Sequence, residues 1–186
     1  NDILIVVPAR AGSKGVSDKN MFPIKGIPLI GYTFKLLNEL EFDYCISTDD
    51  QKIIDYAKDF SLDIYFKRPD NLARDSSIML DVLVHSIKEM EALKQKDYKY
   101  VILLQPTAPL RTTNDIKTCI KLMENSQPDS VISVNKVDSH HPILMKKINN
   151  GYLEPYFIEE IEGTRRQDYK PDAFMRNGAI YLTTRQ

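Results

Sequence analysis

The first loop of the chain combines positive charge with backbone freedom. The stretch "IVVPARAGSKGVSDKN" (residues 5–20) places Arg10, Lys14, Lys19 and Asn20 directly after an apolar run. Arginine grips phosphate through paired hydrogen bonds, lysine adds a compact charge, and an asparagine amide offers both a donor and an acceptor. These residue types suit a phosphorylated ligand that also carries a polar base or sugar.

The glycines of this loop favour close contact with such a ligand. Gly12 and Gly15 let the backbone approach closely and adopt positive φ angles, and neighbouring N–H groups can then hold an anion. Ser13 adds a hydroxyl group. The GxxG spacing matches neither a P-loop nor the GxGxxG pattern, so composition alone fits a solvated loop equally well. Its position after a buried strand favours a binding site.

Alternating strand-like and helix-like runs position this loop. The strand-like runs are 2–7, 43–48, 62–66, 100–105 and 130–134, and the helix-like runs are 28–40, 51–60, 77–94 and 115–124. Thr112 and Asp115, just before the last of these runs, have the spacing of a capping box. Repeated strand–helix–strand units predict an α/β fold with a parallel sheet covered on both faces. Ligands of such sheets bind at the carboxyl ends of the strands, so the loops after 2–7 and 100–105 are the expected site.

The pattern changes after residue 135. "ILMKKINNGYLEPYF" (143–157) predicts a hairpin with "NNG" as its turn, and "NGAIYLTT" (177–184) returns to strand character. We expect about residues 140–175 to leave the main sheet. An isolated two-stranded ribbon is marginally stable, so this excursion is predicted to pack against a partner subunit.

Bulk composition excludes several classes of protein. The 186 residues suit a single domain, and 25 Lys+Arg against 26 Asp+Glu give a formal charge of −1. This balance argues against a surface built for nucleic acid or an anionic membrane. No apolar stretch is long enough to span a membrane and no signal-peptide pattern is visible, so a cytoplasmic location is expected. Cys45 and Cys119 are predicted to be buried thiols.

Five motifs in order resemble one family over nearly the whole chain. They are "PARAGSKGVSDKN" (8–20), "KRPDNLARDSS" (67–77), "LLQPTAPLRT" (103–112), "RRQD" (165–168) and "NGAIYL" (177–182). Together they resemble the N-acylneuraminate cytidylyltransferases, also called CMP-sialic acid synthetases. The resemblance implies one nucleotidyltransferase domain over 1–186, with a three-layer Rossmann-like fold, a mainly parallel sheet and a small dimerisation excursion.

The resemblance also implies where the nucleotide binds. CTP would contact Arg10, Ser13, Lys19 and Asn20, with Arg10 and Lys19 acting catalytically on the triphosphate and Asn20 on the cytosine or ribose side. Arg68 matches a family position near the base. Taken alone, Arg68 would be interpreted as a surface arginine before a turn-making proline.

A second group of residues is implied on the sugar side. The two prolines of "QPTAPLR" stiffen the loop and hold Gln105 at the strand tip, where the family contacts the acceptor sugar acid. Arg166, Asn177 and Tyr181 would complete the sugar site. Arg111 either contacts a carboxylate or simply the next helix. Ala108 stands where the family usually has serine.

The implied reaction transfers CMP from CTP to the anomeric hydroxyl of a nonulosonic (sialic-type) acid, with release of pyrophosphate. Mg²⁺ would bind the phosphates, and its carboxylate ligands are expected in a C-terminal segment of the family that this chain is expected to lack, so no residue of this chain is assigned to metal. Asp49 and Asp50 are interpreted mainly as helix caps. The resemblance also implies a homodimer. The alternatives are a nucleotide- or sugar-acid-binding module without catalysis, and a nucleotidyltransferase for a related sugar acid.

Overall fold

A computed structural model describes residues 2–12, 15–137 and 139–185 of the chain. The chain divides into two compact units. The first unit comprises Asn1–Ser133 and Gly178–Gln186, and the second comprises Val134–Asn177. The predicted excursion at about 140–175 falls within the second unit.

The regular elements follow the predicted alternation along most of the chain. Among the described residues the strands are β1 (Ile3–Pro8), β2 (Pro23–Ile24), β3 (Ile27–Pro28), β4 (Asp43–Ser47), β5 (Tyr100–Leu103), β6 (Ser130–Lys136), β7 (Lys146–Asn149), β8 (Tyr152–Pro155) and β9 (Phe174–Thr184). The α-helices are α1 (Leu29–Glu39), α2 (Gln51–Lys58), α3 (Met79–Lys94) and α4 (Thr113–Ser126). All four helices lie where helical spacing predicts them.

The main sheet is built around β1. Its strand order is β4-β1-β5-β9-β6. β1 runs parallel to both β4 and β5, whereas β9 runs antiparallel to β5. A strand flanked on both sides and covered on both faces is expected to be apolar throughout, and every residue of β1 is buried.

Alternate residues of β1 pack into two separate hydrophobic clusters. Ile5 and Val7 belong to one cluster with Phe34 of α1, and Val6 belongs to the other with Met90 of α3. Because successive side chains of a strand point to opposite faces, helices cover both sides of the sheet. This arrangement confirms the three-layer α/β fold with a mainly parallel central sheet.

The strand predicted at 62–66 is wrong. This segment carries no strand, and its neighbourhood pairs with β4 only through an isolated parallel bridge between Thr48 and Lys67. The backbone N–H of Asp63 donates instead to the Tyr44 hydroxyl at 2.9 Å. The Tyr44 hydroxyl thus accepts a hydrogen bond that a neighbouring strand could have accepted. The apolar pattern of the sequence does not indicate this contact.

The predicted capping of α4 is confirmed by a reciprocal pair of hydrogen bonds. Thr112 Oγ1 accepts from the backbone N–H of Asp115 at 3.2 Å, and the Asp115 carboxylate accepts from the backbone N–H of Thr112 at 2.8 Å. We expect Thr112→Ala to lower the free energy of unfolding by about 1 kcal/mol, measured by urea denaturation. Ser126→Ala, at the exposed far end of the same helix, should change it by less than about 0.5 kcal/mol. Equal losses in the two variants would contradict the capping assignment.

The second unit contains the predicted hairpin. β7 and β8 pair antiparallel, with Ile148 opposite Leu153 and Lys147 opposite Glu154. Asn150 and Gly151 form its turn with φ angles of 48° and 84°, as the favoured two-residue hairpin turn requires. The "NNG" prediction is therefore confirmed. Buried His141 connects two other segments of this unit. Its Nδ1 accepts from the Ile143 N–H, and its Nε2 lies 2.8 Å from the Pro171 carbonyl oxygen.

Candidate functional site

The carboxyl edge of the parallel strands carries most of the predicted site. The chain leaves β1 at Arg10, β4 at Asp49 and β5 at Gln105. β9 runs the other way, with Tyr181 opposite Leu103, so the residues just before Tyr181 lie at the same edge. The loops that follow these strands therefore meet at one edge of the sheet, where the ligands of such folds bind.

A cavity of about 260 Å³ opens at this edge. Its lining residues are Pro8, Arg10, Lys19, Asn20, Arg68, Met79, Gln105, Pro106 and Thr107. Arg10, Lys19, Asn20 and Arg68 of the predicted nucleotide site thus share one cavity with Gln105 of the predicted sugar site. Ser13 lies outside the described residues. The ligand roles of these residues stay predictions, but the structure brings together five side chains that are scattered along the sequence.

The guanidinium of Arg10 is held in a fixed position at the start of the first loop. Its Nη1 donates to the backbone carbonyl oxygens of Ala11 and Gly12 at 3.2 and 2.9 Å. Its Nη2 forms an ion pair with the carboxylate of Asp75. A carboxylate at this position demonstrates that the guanidinium is oriented to bind an anion, and a phosphate oxygen is the same kind of acceptor.

Asp49 has a different role from the cap that its position in the sequence suggested. Asp50 caps α2 by accepting from the backbone N–H of Lys52 at 2.9 Å, as predicted. Asp49 Oδ1 accepts from the backbone N–H of Ala11 at 2.9 Å. It therefore ties the end of β4 to the first loop, and the cap interpretation was wrong for Asp49. The adjacent pair of aspartates was the only sequence signal, and it does not say which one turns toward β1.

Arg68 is a buried residue, and the interpretation of it as a surface arginine was wrong. Only 3% of it is exposed. Its Nε donates to Ser47 Oγ at 3.0 Å and its Nη2 donates to the Ser47 carbonyl oxygen at 2.6 Å. Burial lowers the pKa of its guanidinium to about 10, and the charge of Asp49 partly opposes this. Arg68 therefore brings a cation, fixed on the end of β4, to the wall of the cavity.

Asn20 and Lys19 reach the cavity from a short 3₁₀ helix, Lys19–Met21. Asn20 is only 8% exposed, and its Nδ2 donates to the backbone carbonyl oxygen of Arg10 at 3.2 Å. The amide therefore supports the loop that carries Arg10. Its oxygen remains the acceptor with which a base or ribose group can be recognised, in line with the predicted role.

Gln105 lies against an unusually close backbone position. Gly178 has a φ of +75°, and a Cβ atom at this position would lie 3.3 Å from Gln105 Oε1. Glycine is therefore needed both for the backbone conformation and for the space that the Gln105 amide occupies. Arg111 contacts this region through backbone carbonyl oxygens of Gln105 and Ala179 and through Thr33 of α1. The sequence suggested a carboxylate or the next helix as the partner of Arg111, and these acceptors are neither.

The other predicted sugar-side residues are not brought into this cavity by the described part of the chain. Tyr181 pairs with Leu103 within the sheet and is not among the residues that line the cavity. Arg166 and Asn177 belong to the second unit. There, exposed Arg166 begins a 3₁₀ helix, and Asn177 Nδ2 donates to Asn135 Oδ1 at 3.0 Å. Their roles stay predictions.

Carboxylates near the cavity are already engaged. Asp49 accepts from Ala11 and Asp75 binds Arg10. Within residues 2–12, 15–137 and 139–185, no cluster of three or more His, Cys, Asp or Glu side chains can hold a metal ion. Mg²⁺ favours one or two carboxylates together with phosphate oxygens, and no described residue is assigned to it. The proposed residue roles in the reaction therefore fall to the cationic side chains.

The comparisons with known proteins agree with this geometry. The sequence pattern of a family described as cytidylyltransferase matches residues 4–153. The chain belongs to the cytidylyltransferase family. A solved structure of CMP:2-keto-3-deoxy-manno-octonic acid synthetase complexed with CTP superimposes on this chain with a TM-score of 0.67, at 21% identity, over 100% of this chain and 75% of the other. At that identity the likeness shows a shared fold, and it confirms the Rossmann-like α/β architecture.

Relatives of this chain include proteins named for nonulosonic acids. It is 28% identical over 98% of its length to N-acylneuraminate cytidylyltransferase of Streptococcus agalactiae, of which it spans 43%. It is 30% identical over 98% of its length to CMP-N,N'-diacetyllegionaminic acid synthase of Legionella pneumophila, of which it spans 78%. It is 28% identical over 97% of its length to pseudaminic acid cytidylyltransferase of Campylobacter jejuni, of which it spans 78%. The chain thus spans less than half of the streptococcal relative, and the predicted family resemblance is confirmed.

Two further predictions concern the chain as a whole. Cys45 and Cys119 are free and buried, as predicted, and burial raises the pKa of the Cys45 thiol to about 12. Across the described residues, no helix combines the length and the apolar character that crossing a bilayer requires.

Proposed function

We propose that this cytidylyltransferase transfers CMP from CTP to the anomeric hydroxyl of a nonulosonic acid. The observation that carries the proposal is the shared cavity: Arg10 and Lys19 of the first loop and Arg68 of a separate segment line it together with the amide of Gln105. The names of the relatives support the acceptor class, since they act on N-acylneuraminic, legionaminic and pseudaminic acids.

At the α-phosphorus of CTP, the reaction forms one bond and breaks one. The anomeric hydroxyl oxygen of the sugar acid attacks the α-phosphorus of CTP, and the bond from that phosphorus to the oxygen bridging to the β-phosphorus breaks. Pyrophosphate leaves with the bonding electron pair, and the hydroxyl proton is released to solvent. Such phosphoryl chemistry depends mainly on positioning and on neutralising the charge that develops on the phosphate oxygens.

The predicted ligand-binding side chains of the cavity each have a part in this reaction. The guanidinium of Arg10, already directed at a carboxylate, would bind phosphate oxygens, and Lys19 would neutralise charge on the leaving pyrophosphate. Buried Arg68 keeps a fixed positive charge on the wall. Asn20 would recognise the cytosine or ribose, and Gln105 would hydrogen-bond the acceptor sugar acid. Ser13, Arg166, Asn177 and Tyr181 complete the predicted contacts.

Mg²⁺ and the cellular location complete the proposal. We expect Mg²⁺ to bind the triphosphate oxygens of CTP, where it would offset their negative charge. A cytoplasmic location stays a prediction.

A homodimer is also part of the proposal. The apolar face of the hairpin is exposed in the isolated chain: Ile148 is 79% and Leu153 is 73% exposed. Phe157 and Ile161 of the same unit are likewise exposed. Because large apolar side chains grouped on one exposed segment favour association, a second copy of this chain is the expected partner.

Product analysis tests the function. Full-length protein is incubated with Mg²⁺, each of the four nucleoside triphosphates and a panel of nonulosonic acids, and the products are analysed by mass spectrometry. The expected result is a CMP-sugar with an equal amount of pyrophosphate, formed with CTP and not with the other nucleotides. CTP binding in calorimetry without any product would instead favour the binding-module alternative. A product with a different nucleotide would reject the assignment to CTP.

A further inference from the structure

Arg111 is a buried cation outside the list of predicted ligand contacts. It is 6% exposed. Its Nη1 donates to the carbonyl oxygens of Gln105 and Ala179 at 3.3 and 2.5 Å, and its Nη2 donates to Thr33 Oγ1 at 3.1 Å. Among the described residues its Nε is buried without a hydrogen-bond partner. Each of these three acceptors is a neutral group.

This arrangement is costly for the fold. A buried charge normally needs an oppositely charged, hydrogen-bonded partner, because removal from water disfavours the ion. Burial indeed lowers the pKa of Arg111 to about 10, and the negative charge of Asp115 only partly opposes this. Apolar packing could join the same elements at less cost. Unlike apolar packing, the guanidinium holds specific carbonyl oxygens at hydrogen-bond distance.

The two carbonyl groups bound by Arg111 belong to the two segments that come together at the Gln105 side chain. One belongs to Gln105 itself, and the other belongs to Ala179, the residue after Gly178. The amide of Gln105 lies so close to Gly178 that a Cβ there would be 3.3 Å from Oε1. Arg111 therefore fixes the distance between the loop after β5 and the strand against which the Gln105 amide rests. Thr33 anchors the same guanidinium to α1.

We infer that Arg111 is a positioning residue that holds the Gln105 amide in place for the acceptor sugar acid. It acts through Gln105 and does not touch the substrate. This inference rests on the proposed function, in which Gln105 contacts the sugar acid. A displacement of a substrate-contacting group by a fraction of an ångström is enough to weaken its interactions, so the acceptor side of the reaction should be affected selectively.

The main test compares Arg111→Lys with the wild type. Lysine keeps the charge but cannot donate to Ala179 and Thr33 in the same planar geometry. We expect the KM for the sugar acid to rise about tenfold while the KM for CTP stays within about twofold. Leu110→Ala, an exposed neighbour on the same loop, is the matched control and should change neither constant. Equal losses for both substrates, or an unchanged sugar-acid KM, would overturn the inference.

Two further variants guard against a folding defect. Thr33→Val removes one acceptor of the guanidinium with little change in volume, and the sugar-acid KM should rise again, by about threefold. In a Gln105→Ala background, Arg111→Lys should have almost no additional effect, because residues that act through one another are non-additive. Additive effects would show that Arg111 does not act through Gln105.

A spectroscopic readout separates this inference from the proposed function. The side-chain amide signal of Gln105, assigned in ¹H–¹⁵N spectra by its loss in Gln105→Ala, should shift or broaden in Arg111→Lys and stay in place in Leu110→Ala. This result is expected even if no sugar acid is a substrate, in which case only the proposed function fails. An unchanged Gln105 signal in Arg111→Lys would overturn the positioning role.

Discussion

Replacing Arg10 or Lys19 with alanine is expected to lower turnover by about 100-fold or more, because each variant removes a cation that stabilises charge in the transition state. Arg10 has the stronger structural case: both of its Nη atoms are engaged by loop carbonyl groups and by Asp75. Its position is therefore set before a ligand arrives, so little ordering of the side chain is needed during the reaction. The measurement is pyrophosphate release by full-length protein with CTP, Mg²⁺ and the preferred sugar acid.

Further variants separate charge from geometry at this position. Arg10→Lys keeps the positive charge but loses the planar pair of donors, so an intermediate loss of about tenfold is expected. Lys35→Ala removes an exposed lysine of α1 outside the cavity and should leave turnover unchanged. Pyrophosphate release at the normal rate by both Arg10→Ala and Lys19→Ala would reject the catalytic assignments.

A charged pair on the hairpin is expected to abolish the proposed homodimer. Ile148 and Leu153 lie opposite each other in the antiparallel register, so their side chains share one face of the ribbon. Burial of such a pair at an interface contributes about 2 kcal/mol or more for each residue when both are central. The double variant Ile148→Asp, Leu153→Asp should therefore weaken the dimer by a factor of about 100 or more, giving monomers in light scattering at micromolar concentration.

The same hairpin offers a matched control. Lys147 and Glu154 are also opposite each other and lie on the other face of the ribbon because strand side chains alternate. Exchanging them, as Lys147→Glu with Glu154→Lys, keeps their ion pair and should leave the dimer intact. A monomeric wild-type protein, or equal dissociation of both double variants, would argue against the apolar face as the interface.

The amino-acid sequence predicts the architecture well where one physical rule dominates. β1 is uniformly apolar because it is covered on both faces, and α4 is announced by Thr112 and Asp115, whose spacing is that of a capping box. The turn at Asn150 and Gly151 follows from the positive φ angles that these residues tolerate. In each case the signal is local, and nothing elsewhere in the chain competes with it.

The failures are places where a distant side chain decides the outcome. No strand forms at 62–66, where the Asp63 N–H donates to the Tyr44 hydroxyl. Arg68 is buried, and Ser47 supplies two acceptors for it at the end of β4. No local pattern reveals either partner, because sequence spacing says nothing about contacts between segments about 20 residues apart.

The candidate site shows the same division. The five motifs identify Arg10, Lys19, Asn20, Arg68 and Gln105, and the structure places all of them around one cavity. The residues that hold this group in position were missed: Asp49 supports the loop at Ala11, Asp75 binds Arg10, and Arg111 fixes the environment of Gln105. Positioning residues make ordinary hydrogen bonds to backbone groups, so their residue types alone do not distinguish them from caps or surface charges.

The cavity at the end of β1 is proposed to bind the triphosphate of a cytidine nucleotide, and a crystal structure of the full-length protein with CTP is the decisive measurement. We expect density for the triphosphate against Arg10 and Lys19, with the cytidine group within reach of Asn20. Density for CTP at any other place on the protein, with this cavity holding only solvent, would refute the proposed binding site.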